Sequence, residues 1–192
     1  MDYFALLEQP RLPWLDADAL KAKFLALSAQ AHPDRADSAD KDTATRRAAD
    51  LNAAYNCLRE PKDRLAHLIE LETGLRPDDV QENPAALVDL FFAIAPVFQS
   101  ADKFLKERAR ATSPLAKAQL FADGMEWTDQ LMRLQSQINS RRETLDAELR
   151  ELNRAWPSSR PLAQAAALHR QFSFLKRWTE QTQERIARLA AD

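Results

Sequence analysis

Between Leu131 and Trp156 seven apolar residues, Leu131, Leu134, Ile138, Leu145, Leu149, Leu152 and Trp156, recur at intervals of three, four or seven. An α-helix turns once in 3.6 residues, so these positions fall on one side of it, and the pattern predicts a long helix running to Pro157. A stripe of that length has to be buried against partner helices. Two other stretches supply them. Leu87, Phe91, Ile94, Phe98, Ala101 and Leu105 follow Asn83-Pro84, a cap and first-turn signature, and Leu168, Phe172, Leu175, Ile186 and Leu189 follow Pro161. Three long helices with short connections form an antiparallel bundle. Pro96 is expected to kink the first of them. Ser113-Pro114 starts the middle one, and Gly124, after the apolar Leu115, Leu120 and Phe121, is expected to bend or break it. With two glycines against ten prolines and few runs of period two, the fold class is all-α.

The first 75 residues hold shorter helices. Asp2-Tyr3-Phe4-Ala5-Leu6-Leu7 reads as a brief opening helix. Asp16 caps a second, whose apolar face is Leu20, Phe24 and Leu27, with Lys21 and Lys23 expected on the other side. His32-Pro33-Asp34-Arg35 must end that helix, because Pro33 cannot continue it and turns His32 away from helical torsions. His32 and Asp34 are thereby left on an outward-facing turn. Ala36 to Asp42 is a polar loop by composition, and Leu51, Ala54, Tyr55 and Leu58 then stripe a third helix that returns against the second. Pro61 opens a fourth, with Leu65, Leu68 and Ile69, ended by Gly74.

This order of elements resembles the J domain of DnaJ-type co-chaperones. The resemblance rests on Asp2-Tyr3-Phe4 with Leu6-Leu7, the His32-Pro33-Asp34 loop, Leu51-Asn52-Ala53-Ala54-Tyr55 with Leu58, and Pro61 to Arg64. It implies a four-helix J domain over 1–75 that docks on a DnaK- or HscA-type chaperone and stimulates its ATP hydrolysis. His32, Pro33, Asp34, Arg35, Lys21 and Lys23 would be the contacts. Two features depart from the family pattern: Ala31 stands where an aromatic residue is usual, and the second helix carries only two lysines.

A J domain followed by a polar linker over 76–83 and a helical bundle over 84–192 resembles the HscB co-chaperones of iron–sulfur cluster assembly. Arg170-Gln171-Phe172-Ser173-Phe174-Leu175 with Arg177 resembles that family's last-helix motif. The resemblance implies that the bundle binds an iron–sulfur scaffold protein through Leu87, Val88 and Phe91 on its first helix and Phe174 on its last. Phe92 and Ala95 occupy positions where the family tends to carry Glu. With Leu175 on the seam, Phe174 is expected to project sideways together with Trp178, its i+4 neighbour. Phe92 and Val88 likewise miss the stripe of the first bundle helix.

Charge and composition narrow the rest. The net charge is −2, with 10 Lys+Arg against 13 Asp+Glu in residues 1–75, which is no footprint for nucleic acid. Cys57 is the only cysteine, so neither an internal disulfide nor a paired-thiolate metal site is possible. No metal or cofactor is expected. His32, His67 and His169 are scattered, no paired-carboxylate or Ser-His-Asp arrangement emerges, and two glycines cannot build a phosphate loop, so the chain is not expected to be an enzyme. No signal peptide and no apolar run near 18 residues are recognised, which implies no membrane and a cytoplasmic location. The alternative reading is a helical interaction module or J-like protein that serves another client, with weak or no chaperone activation. The oligomeric state stays open.

Overall fold

The computed structural model describes residues 1–31, 41–77 and 84–191. Seven α-helices and no strand occur among the described residues: α1 (Tyr3–Leu6), α2 (Ala17–Gln30), α3 (Lys41–Arg59), α4 (Pro61–Thr73), α5 (Val88–Arg110), α6 (Pro114–Ser159) and α7 (Leu162–Ala190). They divide into two compact units. One is Met1–Asp79 with Ala147–Arg170, the other Val80–Asp146 with Gln171–Asp192, so α6 and α7 each contribute to both.

In the first unit side chains set the helix starts, Asp16 as expected and Asp2 as a cap where it was read as part of the opening helix. Asp2 accepts the N–H groups of Phe4 and Ala5 at 3.0 and 3.2 Å, and Asp16 accepts that of Ala19 at 2.8 Å. Pro61 stands in the first turn of α4, and Gly74 ends it at φ 76°, a left-handed torsion that costs glycine nothing. Leu20, Leu27, Leu51, Ala54, Leu58, Leu65, Leu68 and Ile69 are buried with Phe4 and Leu7. Phe24 and Tyr55 stack at 4.4 Å between α2 and α3. Lys41 and Asp42, expected in the polar loop, already belong to α3, where Asp42 suits the positive end of the helix.

Arg64 is the element that sequence patterning did not interpret. It is 4% exposed, donating to the Pro13 carbonyl at 2.7 Å and to that of Leu58 at 2.5 Å. A guanidinium can be buried when fixed carbonyls take its protons, and here it ties the segment before α2 to the end of α3. The same unit takes in the α6–α7 turn. Asn153 accepts the Trp14 N–H at 3.1 Å, Arg150 lies 5.4 Å over the Trp14 ring, and Arg160 pairs with Glu72 at 2.7 Å. Arg160 itself leaves α6 at φ 41°, doing without glycine what Gly74 does for α4.

In the second unit the stripe of α6 is buried as expected at Leu131, Leu134, Ile138 and Leu145; Leu149, Leu152 and Trp156 continue it, buried, in the first. Each fully buried Leu contributes about 1.5–3 kcal/mol. Ala101, Phe104, Leu105, Leu131 and Leu189 form a core cluster flanked by Val97, Phe98, Leu120, Trp127 and Ile186. Arg185 lies 4.1 Å over Phe98 and donates to Asp102 at 2.7 Å. Arg108 donates to the carbonyls of Leu189 and Ala191, supplying partners to the end of α7.

Four expectations are corrected here. Gly124 neither bends nor breaks the middle helix: α6 is one helix, and Gly124 is buried inside it facing the Phe104 ring. Pro157 lies inside α6, which runs on to Ser159. Asn83 lies outside the described residues, and Pro84 leads into a 3-10 turn, Ala85–Leu87, so that α5 begins only at Val88. Finally, Ala85–Arg110 contains an 18-residue window of mean hydropathy 1.4, of which 22% is buried. One helix is therefore long and apolar enough to cross a membrane by length and composition, where no such run was expected.

Candidate docking surfaces

The chaperone-facing site expected from sequence comprises His32, Pro33, Asp34 and Arg35, all outside the described residues, and two lysines of α2. Ala31 caps α2 by donating its N–H to Leu27 at 3.0 Å, and α3 resumes at Lys41, so the tetrad lies in the sequence joining two packed helices.

The lysines do not form one cationic face. Helix positions two residues apart differ by about 200°, so Lys21 and Lys23 point to opposite sides of α2. Lys21 is exposed and has no ion pair among the described residues. Lys23 pairs with Glu8, which adopts a left-handed torsion at φ 50° just beyond α1. Leu25, 55% exposed and one turn beyond Lys21, shares its side of the helix, a contact candidate that the apolar pattern passed over because Leu25 sits off the Leu20–Phe24–Leu27 stripe.

The client surface also differs from the expected one. Leu87 is 1% exposed and Phe174 4% exposed, whereas Val88 and Phe91 are each 37% and Phe92 68% exposed. The sideways projection of Phe174 and Trp178 is thus overturned. All five residues from Gln171 to Leu175 are buried, and a helix buried on every side has no position off its seam. Phe174 packs 5.6 Å from the Trp178 ring, with Arg177 5.2 Å over its face. Phe91, expected on the inner stripe, instead meets Phe92 edge-on at 5.8 Å near the surface. Over its first two turns α5 presents Val88, Phe91, Phe92, Ala93 and Ala95 outward, with Asp89 as the one exposed charge there.

A cavity of about 290 Å³ lies in the first unit, lined by Tyr3, Ala53, Asn56, Cys57, Asp63, His67 and Arg76. Two of its lining groups, Cys57 and His67, are shifted toward their neutral forms. Burial pushes the Cys57 thiol up to about 11, with Asp63 adding to the effect, and burial lowers His67, whose Nε2 accepts the Tyr3 N–H at 3.1 Å. Neither a thiolate nucleophile nor an imidazolium is available there at neutral pH. Among the described residues no group of three or more His, Cys, Asp or Glu could hold a metal ion.

No protein-family model matches the chain. It is similar to a co-chaperone protein HscB homolog of Cupriavidus taiwanensis, 39% identical over 94 residues, which is 47% of this chain and 51% of that protein. It is also 31% identical over 133 residues to the HscB homolog of Acinetobacter baumannii, covering 69% of this chain and 70% of the relative. Among solved structures, the chaperone HscB of Vibrio cholerae superposes with a TM-score of 0.60 at 21% identity, covering 96% of both chains. Human co-chaperone HscB gives 0.59 at 17% identity, over 97% of this chain and 81% of the other. At these identities the two structures show a shared fold.

Proposed function

The chain belongs to the HscB co-chaperone family, and on that footing we propose that it docks on a DnaK- or HscA-type chaperone through His32, Pro33, Asp34 and Arg35, stimulates ATP hydrolysis there, and delivers an iron–sulfur cluster scaffold protein. Residues 1–75 act as the J domain, 76–83 as the linker and 84–192 as the client-binding part. That is a division of roles; by compactness, 147–170 go with the first part. The chain works as a partner of an ATPase in the cytoplasm and performs no catalysis of its own.

The observation that carries this reading is the α2–α3 pair, closed by the Phe24–Tyr55 stack, with the His-Pro-Asp triplet in the sequence between the two helices. Packed helices on both sides of the triplet fix where the chain enters and leaves it, which supports its use as a contact with another protein. For the client, support comes from Val88, Phe91 and Phe92, apolar side chains that the fold leaves in water and a complex can bury. Leu87 and Phe174 are buried and lie outside that surface.

The test is steady-state ATP hydrolysis by a DnaK-type chaperone of the same organism, with wild type and His32→Gln. Loss of stimulation in a variant whose stability stays within about 0.5 kcal/mol of wild type is the expected result. Equal stimulation by both removes the loop from the mechanism. A second reading, a helical module that does not activate a chaperone, is favoured by the opposed placement of Lys21 and Lys23 and by the Lys23–Glu8 pair. It predicts no stimulation by wild type either.

A further inference from the structure

The exposed side of α5 does not end with its apolar residues. Val88, Phe92, Ala95, Gln99, Lys103 and Lys106 follow one another at intervals of three and four, and all six are exposed. They form one ridge whose first two turns are apolar and whose far end is cationic. Lys103 and Lys106 have no ion pair among the described residues, although Asp102, beside them in sequence, is engaged by Arg185. Helix polarity does not account for them. Arg108 and Arg110 already occupy the last turn, where a cation meets the negative end of the helix, and that attraction fades within a turn.

We propose that this ridge binds a partner segment carrying apolar anchors followed by carboxylates: the anchors cover Val88 and Phe92, and the carboxylates meet Lys103 and Lys106. The proposal rests on the client-docking reading of α5 and adds the charge of the client. From Phe92 to Lys103 the helix advances about 16 Å, and to Lys106 about 21 Å, which fixes the spacing the partner must supply. A protein segment fits better than a membrane. A helix lying in a bilayer surface separates its apolar and basic sides around the axis, whereas here they succeed one another along it. Asp89 and Glu107, both exposed, would also oppose an anionic lipid surface.

The experiment uses the full chain and two synthetic helical peptides. Both carry a pair of Leu one turn apart; about eleven and fourteen residues further on, one has Glu and the other Lys. Wild type is expected to bind the Glu peptide about tenfold more tightly than the Lys peptide at low salt, the preference shrinking as salt rises. Phe92→Ala should weaken both peptides, and Lys103→Glu with Lys106→Glu should abolish or reverse the preference while leaving the helix content unchanged. Equal binding of the two peptides, or a preference that survives the double substitution, overturns the proposal. So does tighter binding to phosphatidylglycerol-containing vesicles than to the Glu peptide. An iron–sulfur scaffold protein from the same organism separates this from the client reading. If the scaffold binds and Phe92→Ala weakens it but the lysine substitutions do not, the client reading stands and the acidic-partner proposal falls. If the Glu preference holds and the scaffold does not bind, the client reading falls and the proposal stands.

Discussion

His67 accepts the backbone N–H of Tyr3 through Nε2 at 3.1 Å, with its ring 4.7 Å from that of Tyr3 and stacked at 5.8 Å on Phe4. The contact links α4 to the first turn of α1 and requires a neutral imidazole, because a protonated Nε2 cannot accept. Burial lowers the pKa of His67; Asp2 and Glu70 pull it up, and the N-terminus and Arg76 push it down. A base whose folded pKa lies below its unfolded one holds its stabilisation above the unfolded value, 6.5, and loses it as pH falls through the folded value. Urea unfolding should therefore show wild type losing stability below that pH, and His67→Gln, whose amide oxygen can still accept, should lose less. Parallel acid losses in the two proteins would show that His67 does not couple to folding.

Arg64 should be costly to remove. Truncation leaves the Pro13 and Leu58 carbonyls without their donor and opens a cavity, so Arg64→Ala is expected to cost about 3 kcal/mol or more. Arg64→Lys keeps the charge but cannot reach both carbonyls from one fork, and should fall between the two. Denaturant midpoints for the three proteins measure this directly, and an Arg64→Ala loss under about 1 kcal/mol would show that the carbonyls find other donors.

Phe174→Ala and Phe172→Ala should behave alike. Both rings are 4% exposed, so each truncation is expected to cost about 3–5 kcal/mol, while Phe92→Ala, at the surface, should stay within about 0.5 kcal/mol of wild type. Thermal unfolding of the three variants discriminates: a stable Phe174→Ala protein would return that ring to the surface.

Gly124→Ala should stabilise. A Cβ there would lie 3.7 Å from the Phe104 ring, an ordinary contact, and glycine inside a helix costs about 0.5–1 kcal/mol relative to alanine. A higher urea midpoint with an unchanged slope is the expected result; a lower one would mean that the Phe104 ring needs the missing atom's space.

On α2, the two lysines should separate. Lys21→Glu is expected to slow association with the chaperone and to reduce its salt dependence, whereas Lys23→Glu also breaks the Lys23–Glu8 pair and should act less through encounter. Association rates at several ionic strengths decide it, and equal effects would mean that the chaperone approaches both sides of α2.

The sequence by itself determined which segments are helices and where most of them stop. Apolar spacing, Asp16 at a helix start and Gly74 at a helix end act within a few residues, so they can be read without knowing what packs on what. The stripes of α3 and α6 are buried for the same reason: a periodic apolar face has one way to leave water. The HscB resemblance was legible because its motifs are local too. Tertiary structure decided whatever depends on how many sides of a helix are covered. Phe174 is buried because α7 is enclosed all round at that point, and no periodicity distinguishes a helix covered on one side from one covered on all. Gly124 became a helical residue facing Phe104, since glycine breaks a helix only when nothing else holds it. Lys23 lost its freedom to Glu8, which reaches it through a torsion the sequence does not announce. Arg64, polar by composition, entered the core because the carbonyls of Leu58, nearby, and of Pro13, distant in sequence, were fixed where its protons could reach them.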